Sequence, residues 1–178
     1  MQEKKLDIKA IIGLGNPGPR FVAHRHNIGF MVLDALADAY SAQWQSKESM
    51  EVATLSVDGK KVLLIKPQTF MNASGKVIPF LSKQGIAPEN ILVIHDELEK
   101  PFGHISITFG GSARGHNGLR SIIERCGKDF ARLRFGIGRP QDKAEVGNYV
   151  LSRFDESASE LHSLIQDAIS AIERVVHA

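Results

Sequence analysis

Cysteine is almost absent from this 178-residue chain, with Cys126 its single copy. One thiol makes neither an internal disulfide framework nor a cysteine-built zinc site, so the fold has to rest on its apolar core. That suits a reducing compartment. Long apolar runs are missing too: no stretch approaches the roughly 20 residues that cross a bilayer. The opening MQEKKLDIKA carries no apolar segment of the kind that directs export. A cytoplasmic protein without membrane association is therefore expected. Internal repeats, linker-like stretches and low-complexity tracts are also lacking. With 43% apolar and 24% charged residues, the composition is that of an ordinary globular chain long enough for one domain over residues 1–178.

Charge of one sign is scarce overall, at a formal +2, but it is unevenly placed. Residues 114–143 hold eight Lys/Arg against three Asp/Glu, and residues 144–178 hold two against six. A local basic field is what a polyanionic partner needs, although on charge alone a solvated basic surface would look the same.

Strand character runs through Ile8–Leu14, Val52–Val57, Val62–Ile65, Ile91–His95, His104–Phe109 and Arg132–Gly138. Asp58-Gly59 joins the second and third as a hairpin turn. Helical spacing appears in Ile28–Tyr40, Met71–Leu81 and Gly118–Arg125. It is clearest at the end, where Leu161, Leu164, Ile165, Ala168, Ile172, Val175 and Val176 share one stripe. Ser157 and Glu160 have the spacing of a capping box for that last helix. Strands alternating with helices, but including a hairpin, predict a single α/β domain. Its mixed, twisted sheet should be flanked by helices and end in a C-terminal helix.

Gly13, Gly15 and Gly18 have G-x-G-x-x-G spacing directly after the first strand, the pattern of a dinucleotide site. The context does not meet it. Asn16-Pro17-Gly18-Pro19 reads as a turn rather than a helix start, and the acids at the required distance, Asp34 and Asp38, lie in helical sequence. Held by that turn, Asn16 would present an amide donor and a carbonyl acceptor at the carboxyl end of a strand. Taken alone it equally well closes its own turn.

Four other segments combine polar residues with turn or strand-end signals: His24–Asn27, Thr69–Asn72, His95–Glu97 and Gly115–Gly118. A His and an Asp converging from separate elements suit activation of water, with asparagines to hold a carbonyl. A metal site built on His24 and His26, with His95, Asp96 or Glu97 as further ligands, stays open on sequence alone. Singly, each residue reads as a cap or a solvated side chain.

In order and spacing, GLGNPG, RHNIGF, KPQTFMNASG, HDELEKPFG, GHNGLRSII and RLRFGIGRP make the chain resemble the bacterial peptidyl-tRNA hydrolase family. The likeness runs from about Ile11 to Phe154. It implies cleavage of the ester between a peptide and the 3′ ribose of tRNA. No cofactor or metal is implied, and no obligate protein partner, the chain being a monomer. By the same resemblance His26 is the general base and Asp96 its orienting partner. Asn16, Asn72 and Asn117 line the peptide and 3′-end site, with Phe21, Met71 and His116 beside them. Arg134 faces tRNA phosphate; Arg114, which is not part of that pattern, is placed either to reach phosphate as well or to restrict its loop. A different class also fits the fold, a catalytically silent relative that binds RNA; the complete His/Asp/Asn set favours the enzyme.

Some positions depart from the family pattern. Phe21 stands in place of a usual Tyr, His24 in place of Thr, and Arg114 in place of Gly. Ser106 and Thr108 are neutral where Lys or Arg is common, which implies a thinner clamp on tRNA unless Arg114 compensates.

Overall fold

The computed structural model describes residues 5–177. Strand β1 (Ala10–Gly13) lies at the centre of the sheet and is wholly buried. It pairs in parallel with β4 (Lys60–Pro67) on one side and β5 (Ile91–Glu97) on the other. β5 is buried along its whole length, as a central strand covered on both faces must be. β3 (Met50–Val57) folds onto β4 as the expected hairpin, with positive φ at both Asp58 and Gly59. A short β2 (Gln45–Lys47) adds to β3 at one edge. At the other, β7 (Ala131–Gly136) runs parallel to β5, and β6 (Ile105–Phe109) is antiparallel to β7. The order β2-β3-β4-β1-β5-β7-β6 is the predicted mixed sheet.

Alternate side chains of the strands feed two cores. Ile11, Leu92, Ile94 and Leu133 pack with α1 (Ile28–Ala39) and α5 (Ala158–His177). Ile12 and Val93 face α2 (Ile78–Lys83) and α3 (Asn117–Cys126) on the opposite side. Glycine lets these layers close up: a Cβ on Gly13 would lie 2.4 Å from the carbonyl oxygen of Gly29, where α1 crosses β1. The opening glycine thus serves helix packing, and α1 begins well beyond Gly18 rather than at it, as a dinucleotide fingerprint requires. At the start of α5 the Glu160 N–H donates to Ser157 Oγ at 3.1 Å, the expected serine cap. No helix among the described residues is long and apolar enough to cross a membrane.

The differences from expectation are local. Met71–Val77 is a 3-10 stretch kinked at Ala73, and α2 proper starts only at Ile78. Ser74, Gly75 and Pro79 are poor interior helix residues, and Gly75 is pressed against α3, where a Cβ would sit 2.3 Å from the Ser121 carbonyl. β2, fully exposed, and α4 (Val146–Val150), only five residues long, carry no periodicity to read.

Candidate active site

Parallel pairing of β1 with β5 brings their carboxyl ends to the same edge of the sheet. Asp96 lies in the last turn of pleat of β5, 4% exposed, with its carboxylate between two imidazoles. His26 comes from a 3-10 turn, Arg25–Asn27, that leads into α1. Its Nδ1 lies 2.9 Å from Asp96 Oδ2 and 3.1 Å from Oδ1. His116, at the N-cap of α3, places Nε2 2.8 Å from Asp96 Oδ1.

These contacts fix both tautomers. A carboxylate only accepts, so Nδ1 of His26 carries the hydrogen and, in the neutral ring, Nε2 keeps the lone pair. His116 Nδ1 accepts from the Gly118 and Leu119 N–H groups at 3.1 and 3.4 Å, which puts its hydrogen on Nε2, toward Asp96. Burial opposes charge on His26, but the attraction and hydrogen bond of Asp96 outweigh it and hold its pKa above the ordinary histidine value. Burial likewise works against the Asp96 charge; the two histidines overcome it and keep the carboxyl well below the usual range. His95 differs. It is pushed down to about 4 by burial and by His116, and it donates Nδ1–H to the Asp96 carbonyl, so it is a neutral packing partner of the site.

His26, Asp96 and His116 hold ligand atoms within 4.8 Å of one another, the one such metal-capable group among the described residues. Their nitrogens meet the carboxylate at hydrogen-bond distances, however, and a metal would have to displace both bridging protons. His24 lies outside this group, with its ring edge-on to Phe21.

Asn16 is held through Asn27, a residue not singled out from the sequence. The Asn16 N–H donates to Asn27 Oδ1 at 3.0 Å, and Asn27 Nδ2 donates back to the Asn16 carbonyl at 2.9 Å. Asn16 Oδ1 accepts from the Met71 N–H at 2.7 Å. Its carbonyl oxygen is therefore engaged inside the protein, and the amide NH2 is the group left without a protein partner for a ligand. Met71 is buried under this contact rather than exposed to a substrate, with α3 close behind it at Gly118. Asn72 and Asn117 are exposed, and neither caps a helix, His116 being the cap of α3.

A cavity of about 500 Å³ opens beside His26, lined among others by Asp96, His116, Asn117, Arg114 and Arg134. Arg132 and Arg139 add to its wall. Arg134 donates to Glu97 at 2.8 Å, while Arg114 has no acidic partner within ion-pair distance among the described residues. Ser106 and Thr108 lie directly across from Arg134 and Arg132 in the β6–β7 pairing. Asn16, Phe21, Met71 and Asn72 do not line this cavity. Phe21 and Asn72 belong to a second surface, with Asn16 and Met71 buried beneath it and joined to the His26 turn through Asn27. Phe70 belongs to it and was not foreseen: its ring stands 6.4 Å from Phe21 and is 65% exposed. An apolar residue next to a motif is a weak signal until its exposure is known.

The peptidyl-tRNA hydrolase family profile matches residues 10–178. The chain belongs to the peptidyl-tRNA hydrolase family. A peptidyl-tRNA hydrolase of Rubrobacter xylanophilus is 45% identical over 161 residues, covering 90% of this chain and 91% of the relative. That of Aquifex aeolicus is 41% identical over 175 residues, or 96% and 91%. The crystal structure of peptidyl-tRNA hydrolase from Acinetobacter baumannii superposes with a TM-score of 0.88 at 38% identity, covering 99% of this chain and 92% of that one. Family membership makes this chain an ester hydrolase acting on peptidyl-tRNA, and the silent RNA-binding alternative is not favoured.

Proposed function

We propose that His26 is the general base of this hydrolysis and that Asp96 orients it. The carrying observation is the His26 Nδ1 contact with Asp96, which leaves the Nε2 lone pair for water. Nε2 takes a proton from water as the oxygen attacks the ester carbonyl carbon. Asp96 stabilises the imidazolium formed. When the tetrahedral intermediate collapses, the 3′ ribose oxygen leaves and takes that proton, giving tRNA with a free 3′ hydroxyl and a peptide carboxylic acid, which loses its own proton to solvent. Asn16 Nδ2, Asn72 and Asn117 supply amide groups to the peptide and to the developing oxyanion. Selection of peptidyl- over aminoacyl-tRNA follows, because a free amine offers different hydrogen-bond groups and a charge.

The split of the site into two surfaces supports a division of the substrate. The cavity bearing Arg114, Arg132, Arg134 and Arg139 suits the phosphates of the tRNA end. The surface with Phe21, Phe70, Asn16 and Asn72 suits the peptide. Met71 supports it from below. We further read residues 1–178 as one domain, acting in the cytoplasm as a monomer without metal.

The test is release of peptide from N-acetyl-aminoacyl-tRNA with a chelator present. Wild type should turn over, and His26→Ala should lose roughly 10²–10⁴ in rate while still binding tRNA. Chelator-sensitive turnover restored by added metal would sink the metal-free reading. An active His26→Ala variant would sink the base.

A further inference from the structure

Arg25, one residue before His26, is only 2% exposed. Its Nη1 donates to the Tyr149 carbonyl at 3.0 Å and to Ser152 Oγ at 2.5 Å, and its Nη2 donates to the Asp155 carboxylate at 3.1 Å. The guanidinium carbon stands 3.9 Å from the centre of the Tyr149 ring. The backbone adds to this: the Arg25 N–H donates to the Ser152 carbonyl at 2.9 Å, and His24 pairs with Arg153 in an antiparallel bridge.

Every one of these partners lies in residues 149–155, at the end of α4 and just beyond it. Val146, Gly147 and Val150 of α4 line the cavity that also holds His26 and Asn117. Tyr149 in turn donates its hydroxyl to the Ile137 carbonyl at 2.5 Å, immediately past β7. A continuous chain of contacts thus runs from the end of β7 through Tyr149 and Arg25 to the turn bearing His26.

Stability alone is a poor reason for a charge here. Among the described residues the single acid that meets Arg25, Asp155, has a side chain 93% exposed, so the ion pair is screened while the arginine pays full desolvation. A guanidinium does offer a planar fork of donors and a face that stacks on aromatics. It fixes several groups in one relative orientation, which an apolar residue of similar size does not.

We propose that Arg25 is a positioning residue for peptidyl-tRNA hydrolysis. It clamps the α4 wall of the cavity to the His26 turn, so that one side chain sets the placement of bound substrate relative to the base. The inference rests on His26 being that base. Arg25 touches neither substrate nor water; it acts through its neighbours.

The test compares wild type with Arg25→Lys, which keeps the charge and loses the fork and the stacking. Single-turnover hydrolysis, affinity for deacylated tRNA and amide hydrogen exchange are measured on the full chain. The expected result is a fall in kcat of about 10–100-fold, the scale of a misplaced reacting group, with tRNA affinity unchanged. Exchange should quicken at amides 25–27 and 146–153 and stay slow in β1 and β5. Wild-type kcat would overturn the proposal, and so would exchange that rises evenly across the sheet. Should the lysine variant fail to fold, Ser152→Ala removes one acceptor and leaves Arg25 in place. It should show the same local exchange with a smaller loss of kcat, and wild-type values for both would overturn the clamp. Full activity in His26→Ala would instead strike the base assignment, while the exchange pattern of Arg25→Lys reports on the clamp separately.

Discussion

Asp96 accepts a hydrogen bond from each of two imidazoles while almost fully buried, and its effect on the molecule depends on pH. Its depressed pKa contributes stability that is fully present above the ordinary value of 3.8 and lost as pH falls through the folded value. His26, with its raised pKa, has the opposite sign: its contribution is complete below the ordinary 6.5 and lost as pH rises through the folded value. Asn27 matters in another way. Its two hydrogen bonds to the Asn16 backbone are buried, so Asn27→Ala should cost about 1–3 kcal/mol in denaturant unfolding and weaken binding of the blocked substrate. An unfolding midpoint equal to wild type would refute that. His26 and Asp96 were legible because their motifs are distinctive. Asn27 and Arg25 were not, since a contact across eleven residues or more than a hundred leaves no local pattern, and either side chain reads as a cap or a surface group.

Among the elements, the central strands and α1, α3 and α5 were readable because period and burial agree. The segment after Phe70 was not: it carries apolar spacing, but Gly75 must lie against Ser121, and tertiary contact overrode the helical period. Gly75→Ala should therefore lower the melting temperature by forcing α3 away. Since Met71 and His116 both lie beside Gly118, one turn before Ser121 on α3, turnover should fall as well. A variant as stable as wild type would show that the approach is slack. The loop between β6 and α3 has its own tension. Arg114 adopts φ 48°, a left-handed conformation that suits the glycine of the family pattern and costs an arginine about 1 kcal/mol. Arg114→Gly should raise stability slightly and weaken tRNA binding. Unchanged tRNA affinity would remove Arg114 from the phosphate contacts.

At the scale of the whole molecule, the modest +2 charge conceals a cavity wall with four arginines, and the basic stretch in the sequence pointed there. What it did not give was the pairing: Arg134 is tied to Glu97, whereas Arg114 has no acid within ion-pair distance among the described residues. If both meet phosphate, tRNA affinity should fall with salt, and Arg134→Ala should reduce the slope of log K against log salt by about 1. An unchanged slope would take Arg134 off the tRNA path. The division into a basic cavity and an apolar, amide-bearing surface was not legible either, because it depends on which side of the His26–Asn27 turn each motif reaches. Hydrolysis as proposed depends above all on Asp96 holding His26 as a base with its lone pair on Nε2. The most direct measurement is the single-turnover hydrolysis rate of N-acetyl-aminoacyl-tRNA against pH, for wild type and Asp96→Asn. Wild type should lose rate as pH falls through a His26 pKa above the ordinary 6.5. The variant should be slower throughout, with its acid limb moved to lower pH, because burial then acts on His26 without the carboxylate. An acid limb at the same pH in both proteins would contradict that role of Asp96.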